Sequence, residues 1–235
     1  MFKYIFTTDF KSMAYKKSII IIWLFSVIIY PIFFKIALNY DFISPNVNDI
    51  FLSNIGCFGK IKSLVECSML LLNVSFYCYI AVYIYTLNVE LGKEILYLRM
   101  PYKKWLIIKI FSITLTISFF SLAEVFLLTF TYSLLGMNID IPTILCIAFN
   151  GVISKLILAF FCLVFFQINY KFFIMLIMII YTMVGIFSNN NIVFQIAKIL
   201  FASNYIGIEV VYLILLIVIL YFISMKKMYI FFGRK

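Results

Sequence analysis

The chain has 235 residues, 66% of them hydrophobic and 12% charged, with a mean hydropathy of +1.15 and a formal net charge of +10. That charged fraction is about half of what soluble domains carry, so the composition predicts a polytopic, all-α membrane protein whose core is set by the bilayer. Histidine is absent, which removes His-dependent zinc sites, Ser-His and Cys-His hydrolases and the usual proton shuttle.

Residues 1–17 read as an interfacial amphipathic helix. Phe2, Ile5, Phe6, Phe10 and Met13 share one side, while Lys3, Lys11, Lys16 and Lys17 offer charge to anionic headgroups. Six apolar runs follow at about 18–38, 64–87, 106–135, 141–167, 172–187 and 208–225, each near the length of about 20 residues that a helix needs to cross the hydrocarbon core. The first run lacks a small-residue cleavage site and continues into Tyr30, Pro31 and Lys35, so it is expected to be retained as a span. Pro31 is expected to kink that span and Pro142 to begin the fourth, while Gly136 is expected to end the third.

The most charged stretch of the chain, residues 88–109, separates the second and third runs. Glu90, Lys93, Glu94 and Arg99 fit the polar side of a short helix, with Leu91, Ile95 and Leu98 on its apolar side. Pro101 stops that helix because it lacks an N–H and restricts the residue before it. Lys103, Lys104 and Trp105 then lead into the third run with the mixture usual at a membrane–water interface.

The positive-inside rule sets the orientation. With the N-terminus inside, Lys35, Lys60, Lys62 and Lys198 are left outside and Lys155 lies within a span, so fourteen of the nineteen basic residues face the cytoplasm. Both termini are then cytoplasmic, and the net charge is a topology signal that needs no nucleic acid. Residues 39–63 form a polar outer loop. Residues 192–201 are apolar but too short to cross, so they are expected to dip into the interface or re-enter. No repeat or linker divides the chain, which reads as a single transmembrane domain over 1–235.

Few residues within the spans are ionisable. Glu124 in the third run and Lys155 in the fourth sit at similar depth on adjacent antiparallel helices, and an ion in the bilayer is expensive unless paired or hydrated. They fit either an interhelical pair that fixes packing or groups that line a transport path, the first being the commoner way such charges are tolerated. Glu66 and Glu209 fall near outer span ends, while Asn150, Gly151 and Ser154 make a small polar patch suited to helix packing. Of the five cysteines, Cys57 and Cys67 are the pair on the outer side that a bridge could join. No CxxC spacing occurs, and there is no P-loop: Gly56-Cys-Phe-Gly59-Lys60 is too short.

This layout resembles the membrane subunit of type-2 ABC exporters. The resemblance rests on six expected spans with an N-terminal elbow helix, a coupling helix between spans two and three, a re-entrant segment between spans five and six, and Glu90, Leu96, Pro101 and Lys109 at the positions of a short family motif. Leu91-Gly92-Lys93 departs from the family's usual basic-Gly-Thr pattern. The resemblance implies two such subunits, identical or paired with a sister permease, in the bacterial cytoplasmic membrane. Separate ATPase subunits would dock on Glu90, Lys93, Glu94, Arg99, Pro101, Lys103 and Lys104. ATP and magnesium would belong to those partners, leaving this chain without a cofactor, metal or catalytic residue of its own. The implied substrate is amphipathic: an antimicrobial peptide, as in bacteriocin immunity, an antibiotic or a lipid-like molecule. Two alternatives stand beside it, a non-transporting membrane immunity or scaffold protein and the substrate-binding membrane subunit of an uptake system.

Overall fold

The computed structural model describes residues 2–39, 72, 75–86, 101–136, 141–168 and 206–232. This part is all-helical: α1 (Phe2–Tyr15), α2 (Lys17–Asn39), α3 (residues 75–86), α4 (Tyr102–Leu134), α5 (Ile141–Gln167) and α6 (Ile206–Phe232). The expected coupling segment through Met100, nearly all of the first half of the second run, the fifth run and the 192–201 segment lie outside the described residues.

Helix α4 organises the rest. Pro101 is its N-cap with φ −59°, and the carbonyl of Pro101 accepts from the amides of Lys104 at 2.9 Å and Trp105 at 3.2 Å. The helix therefore begins four residues before the expected span and takes Lys103, Lys104 and Trp105 into its first turn. It ends where expected: Gly136 follows at φ +75°, a left-handed conformation that suits glycine past a helix C-terminus. The amide of Gly136 bonds back to the Ser133 carbonyl at 3.0 Å. Lys35 of α2 donates to the Leu135 carbonyl, one of the acceptors a helix end leaves without an intrahelical partner.

α4 is inside-out by the standards of a soluble helix. Its buried face carries Lys109, Ser112, Thr116, Ser121 and Glu124 among apolar residues, whereas Ile107, Phe111, Leu115, Phe119, Leu122, Phe126, Phe130 and Leu134 form an exposed stripe. Those eight recur every three or four residues along one side of the helix. An apolar stripe of that length is costly in water and costless against lipid. Among the described residues α4 is the helix long and apolar enough to cross a membrane, and apolar helical stretches of 10–17 residues lie in α2, α5 and α6. Several hydroxyls on or near α4 are satisfied within their own helix: Thr114 donates to Ile110, Thr116 to Ser112 and Thr131 to Leu128, each at 2.8–2.9 Å. Such back-bonding lets a polar side chain sit in apolar surroundings without a partner helix.

The core is built on α3 and α5. In α3, Phe76, Tyr77, Cys78, Ile80, Ala81, Ile84 and Tyr85 are buried, so the helix is enclosed on most sides. Phe76 stacks on Trp23 of α2 with centroids 5.3 Å apart, and Phe120 of α4 meets both edge-on. Cys78 Sγ lies 2.9 Å from Cys162 Sγ of α5, both as free thiols, here acting as small residues that let two helices approach. α5 packs most extensively on α6 and α4, whereas α4 and α6 meet sparsely.

The cross-links also give direction. Asp9 and Lys109 mark one end of the bundle, with Tyr85 bonded to Ser224 of α6 at 3.2 Å near it, and Lys35 and Leu135 mark the other. α2 and α4 run one way, and α3, α5 and α6 run the other.

Candidate functional site

Two buried ion pairs lie on the same face of α4, about 22 Å apart at 1.5 Å rise per residue. The deeper one joins Glu124 to Lys155 of α5, with Nζ 2.7 Å from Oε2 and both side chains almost fully buried. Tyr77 of α3 donates its hydroxyl to the same oxygen at 2.5 Å. The Lys155 ammonium also sits 4.6 Å from the centroid of the Tyr77 ring, a cation–π placement that strengthens where water is excluded. Trp23 of α2 and Ser121 of α4 border the Tyr77 hydroxyl. Four helices thus contribute to one polar cluster in an apolar core.

The sequence placed Glu124 and Lys155 at similar depth on neighbouring helices, and the structure brings them into contact. Tyr77 was not singled out. With seventeen tyrosines in the chain, only its place on an enclosed helix distinguishes it. Chemically the cluster is a closed donor–acceptor set in which Glu124 receives a full charge-assisted hydrogen bond from Lys155 and a second donor from Tyr77.

The second pair lies near the end of the bundle. Lys109 Nζ is 2.5 Å from Asp9 Oδ1 of α1, with both side chains fully buried. Asp9 Oδ2 accepts from Ser112 Oγ at 3.0 Å, and Lys109 reaches the Ile84 carbonyl of α3 at 3.2 Å. Around it Met13 is buried and Phe10 packs edge-on against Phe119 at 5.5 Å. α1 is therefore anchored on α4 by a buried carboxylate in addition to any attraction of its lysines for headgroups. Sequence reasoning missed this junction: it gave Asp9 no role and counted Lys109 among the cytoplasmic charges. The signal was present: Asp9 falls between Ile5 and Met13 at four-residue spacing, on the apolar side of α1.

The residues expected to meet an ATPase are divided. Pro101 is the N-cap of α4, and Lys103 and Lys104 are exposed in its first turn. Glu90, Lys93, Glu94 and Arg99 lie outside the described residues. The two helices that flank this charged stretch are held together where it leaves and rejoins them. Tyr85 of α3 meets Trp105 of α4 at 6.1 Å, Trp105 stacks on Tyr102 at 5.4 Å, and Lys109 bridges to the Ile84 carbonyl.

Among the described residues no group of three or more His, Cys, Asp or Glu side chains converges as a metal site would require. No protein-family model, curated protein sequence or solved structure matches the chain.

Proposed function

We propose that the chain is the permease subunit of an ATP-driven exporter of the type-2 ABC kind, moving an amphipathic molecule out of the cell or the membrane. The observation that carries this reading is the clamp on either side of residues 88–101. A force applied to that stretch would be delivered through Tyr85, Trp105 and Lys109 directly into the two helices that hold the core. Glu90, Lys93, Glu94 and Arg99, with exposed Lys103 and Lys104 beside them, are the docking contacts in this reading. The chain has no P-loop, so hydrolysis falls to a separate ATPase carrying its own ATP and magnesium. A second permease copy or a sister permease completes the pathway.

Six crossings with both termini cytoplasmic fit the directions of the helices. α5 and α6 run the same way, so the chain must return from one end of the bundle to the other between Gln167 and Ile206, and the apolar run 172–187 lies there. The inside-out pattern of α4 supports a bilayer around the bundle. The substrate class, an antimicrobial peptide, antibiotic or lipid-like molecule, rests on the resemblance.

A pull-down in mild detergent tests the proposal, comparing wild type with the double variant Glu90→Lys, Arg99→Glu. A P-loop ATPase is expected to co-purify with the wild type and to be lost from the variant. If neither brings one down, the exporter reading fails and a passive immunity or scaffold protein takes its place.

A further inference from the structure

Where α4 and α6 meet sparsely, an open apolar groove of 360 Å³ runs between them, lined by Ile107, Ile110, Ile217, Val218, Tyr221 and Phe222. The two helices are antiparallel here, since Tyr85 of α3 meets Trp105 near the start of α4 and bonds to Ser224 near the end of α6. Moving one turn beyond the groove therefore leads to Lys103 and Lys104 on α4 and to Lys226 on α6, at the same end of the bundle. All three lysines are exposed. Among the described residues the carboxylates lie elsewhere: Asp9 pairs with Lys109 and Glu124 with Lys155, while Glu209 sits near the opposite end of α6.

An apolar slot of about one and a half helical turns, with three lysines one turn beyond one of its ends, matches a particular amphiphile. We propose that this groove holds an anionic phospholipid of the cytoplasmic leaflet, its acyl chain along Ile110, Val218 and Phe222 and its headgroup phosphate among Lys103, Lys104 and Lys226. Apolar lining alone would accept any chain. The charges select the headgroup, because basic residues at the membrane surface attract anionic lipid strongly and short side chains would leave it to solvent. A second copy of the protein is a poorer occupant, since two copies meeting across this groove would bring like-charged lysine clusters together.

This inference rests on the membrane placement proposed above and assigns Lys103 and Lys104, named there beside the docking contacts, to the lipid headgroup, so the test uses the purified full-length protein without an ATPase. Native mass spectrometry of delipidated protein, titrated with dioleoylphosphatidylglycerol or dioleoylphosphatidylcholine, compares wild type with three variants. The wild type is expected to bind the anionic lipid at least about tenfold tighter. Lys103→Gln, Lys104→Gln and Lys226→Gln combined should erase that preference. Val218→Trp, at a position already exposed, should fill the groove and weaken both lipids, and Phe222→Ala, which removes one wall, should do the same more mildly. Equal binding of the two lipids by wild type overturns the proposal. So does unchanged binding in both groove variants, or a loss of dimer mass in Val218→Trp with lipid binding intact, which would assign the groove to a second copy.

Discussion

The two buried ion pairs of α4 are the same in kind, a lysine on a carboxylate, and differ in what surrounds them. At the Asp9–Lys109 junction each carboxylate oxygen has its own donor, and the ammonium has a carbonyl as well as a carboxylate. At the Glu124–Lys155 cluster one oxygen takes both a cation and a phenol, and the cation lies over an aromatic ring. The first ties a peripheral helix to the bundle about 10 Å from the start of α4, where a freed charge has only a short way to reach polar surroundings. The second ties three core helices together about 15 Å from the end of α4, and a freed charge there has nowhere to go. Position along the helix, more than bond length, sets what each pair contributes.

That difference is largest for single truncations of the deep pair. Glu124→Leu leaves Lys155 buried without its counter-charge and is expected to cost about 3–5 kcal/mol. Pairing it with Lys155→Met should recover most of that loss, because removing both ions also removes the cost of burying them. Thermal unfolding in mild detergent measures both, and the chain offers a local probe. Of its two tryptophans, Trp23 borders this cluster through Phe76 and Phe120. A Trp105→Phe background therefore reports on it alone. Under the exporter reading proposed above, a double variant that folds as wild type does but no longer supports export assigns Glu124 and Lys155 to the transport path. If it folds and still exports, the pair is there for packing.

Much of this was legible in the sequence. The all-helical class followed from composition, the fourth apolar run coincides with α5, Gly136 ends α4 as expected, and the depths of Glu124 and Lys155 could be counted along two runs. What periodicity could not supply was which face of a uniformly apolar helix turns inward. In α4 the polar side chains mark the buried face, the reverse of the soluble rule, so Ser112, Thr116 and Ser121 become readable only once a bilayer is assumed. Asp9 was missed for a related reason: one acid among four lysines looks like a solvated interfacial charge until its place on the apolar side of α1 is weighed. Tyr77 depends on three helices converging, which no local pattern encodes.

The outer junction should yield more gently. Asp9→Leu is expected to cost about 2 kcal/mol, below the deep pair, because Lys109 can relax toward the end of the bundle. The effect should be local: α1 loosens while the core keeps its transition. Trypsin cleavage after Lys11 and Lys16, both exposed, is expected to accelerate in the variant. In a Trp23→Phe background, the remaining Trp105, stacked on Tyr102, should shift its emission before the global transition. A loss as large as that of Glu124→Leu would show that depth along α4 does not govern the two pairs, and the comparison would fail.

The smallest change expected to register is Tyr77→Phe, which removes one hydroxyl and keeps the ring under Lys155. A hydrogen bond to a charged acceptor contributes about 1.5–3 kcal/mol, and the value here should fall at the lower end because Lys155 still satisfies the same Glu124 oxygen. The cation–π contact survives the substitution, so Tyr77→Leu should cost more than Tyr77→Phe, by the share that belongs to the ring. Measuring both in a Glu124→Leu, Lys155→Met background closes the cycle. If the cost of Tyr77→Phe vanishes there, the phenol serves the carboxylate. If it persists, the hydroxyl is held by Trp23 and Ser121, and the cluster is a four-helix polar seam in which the ion pair is one member among several.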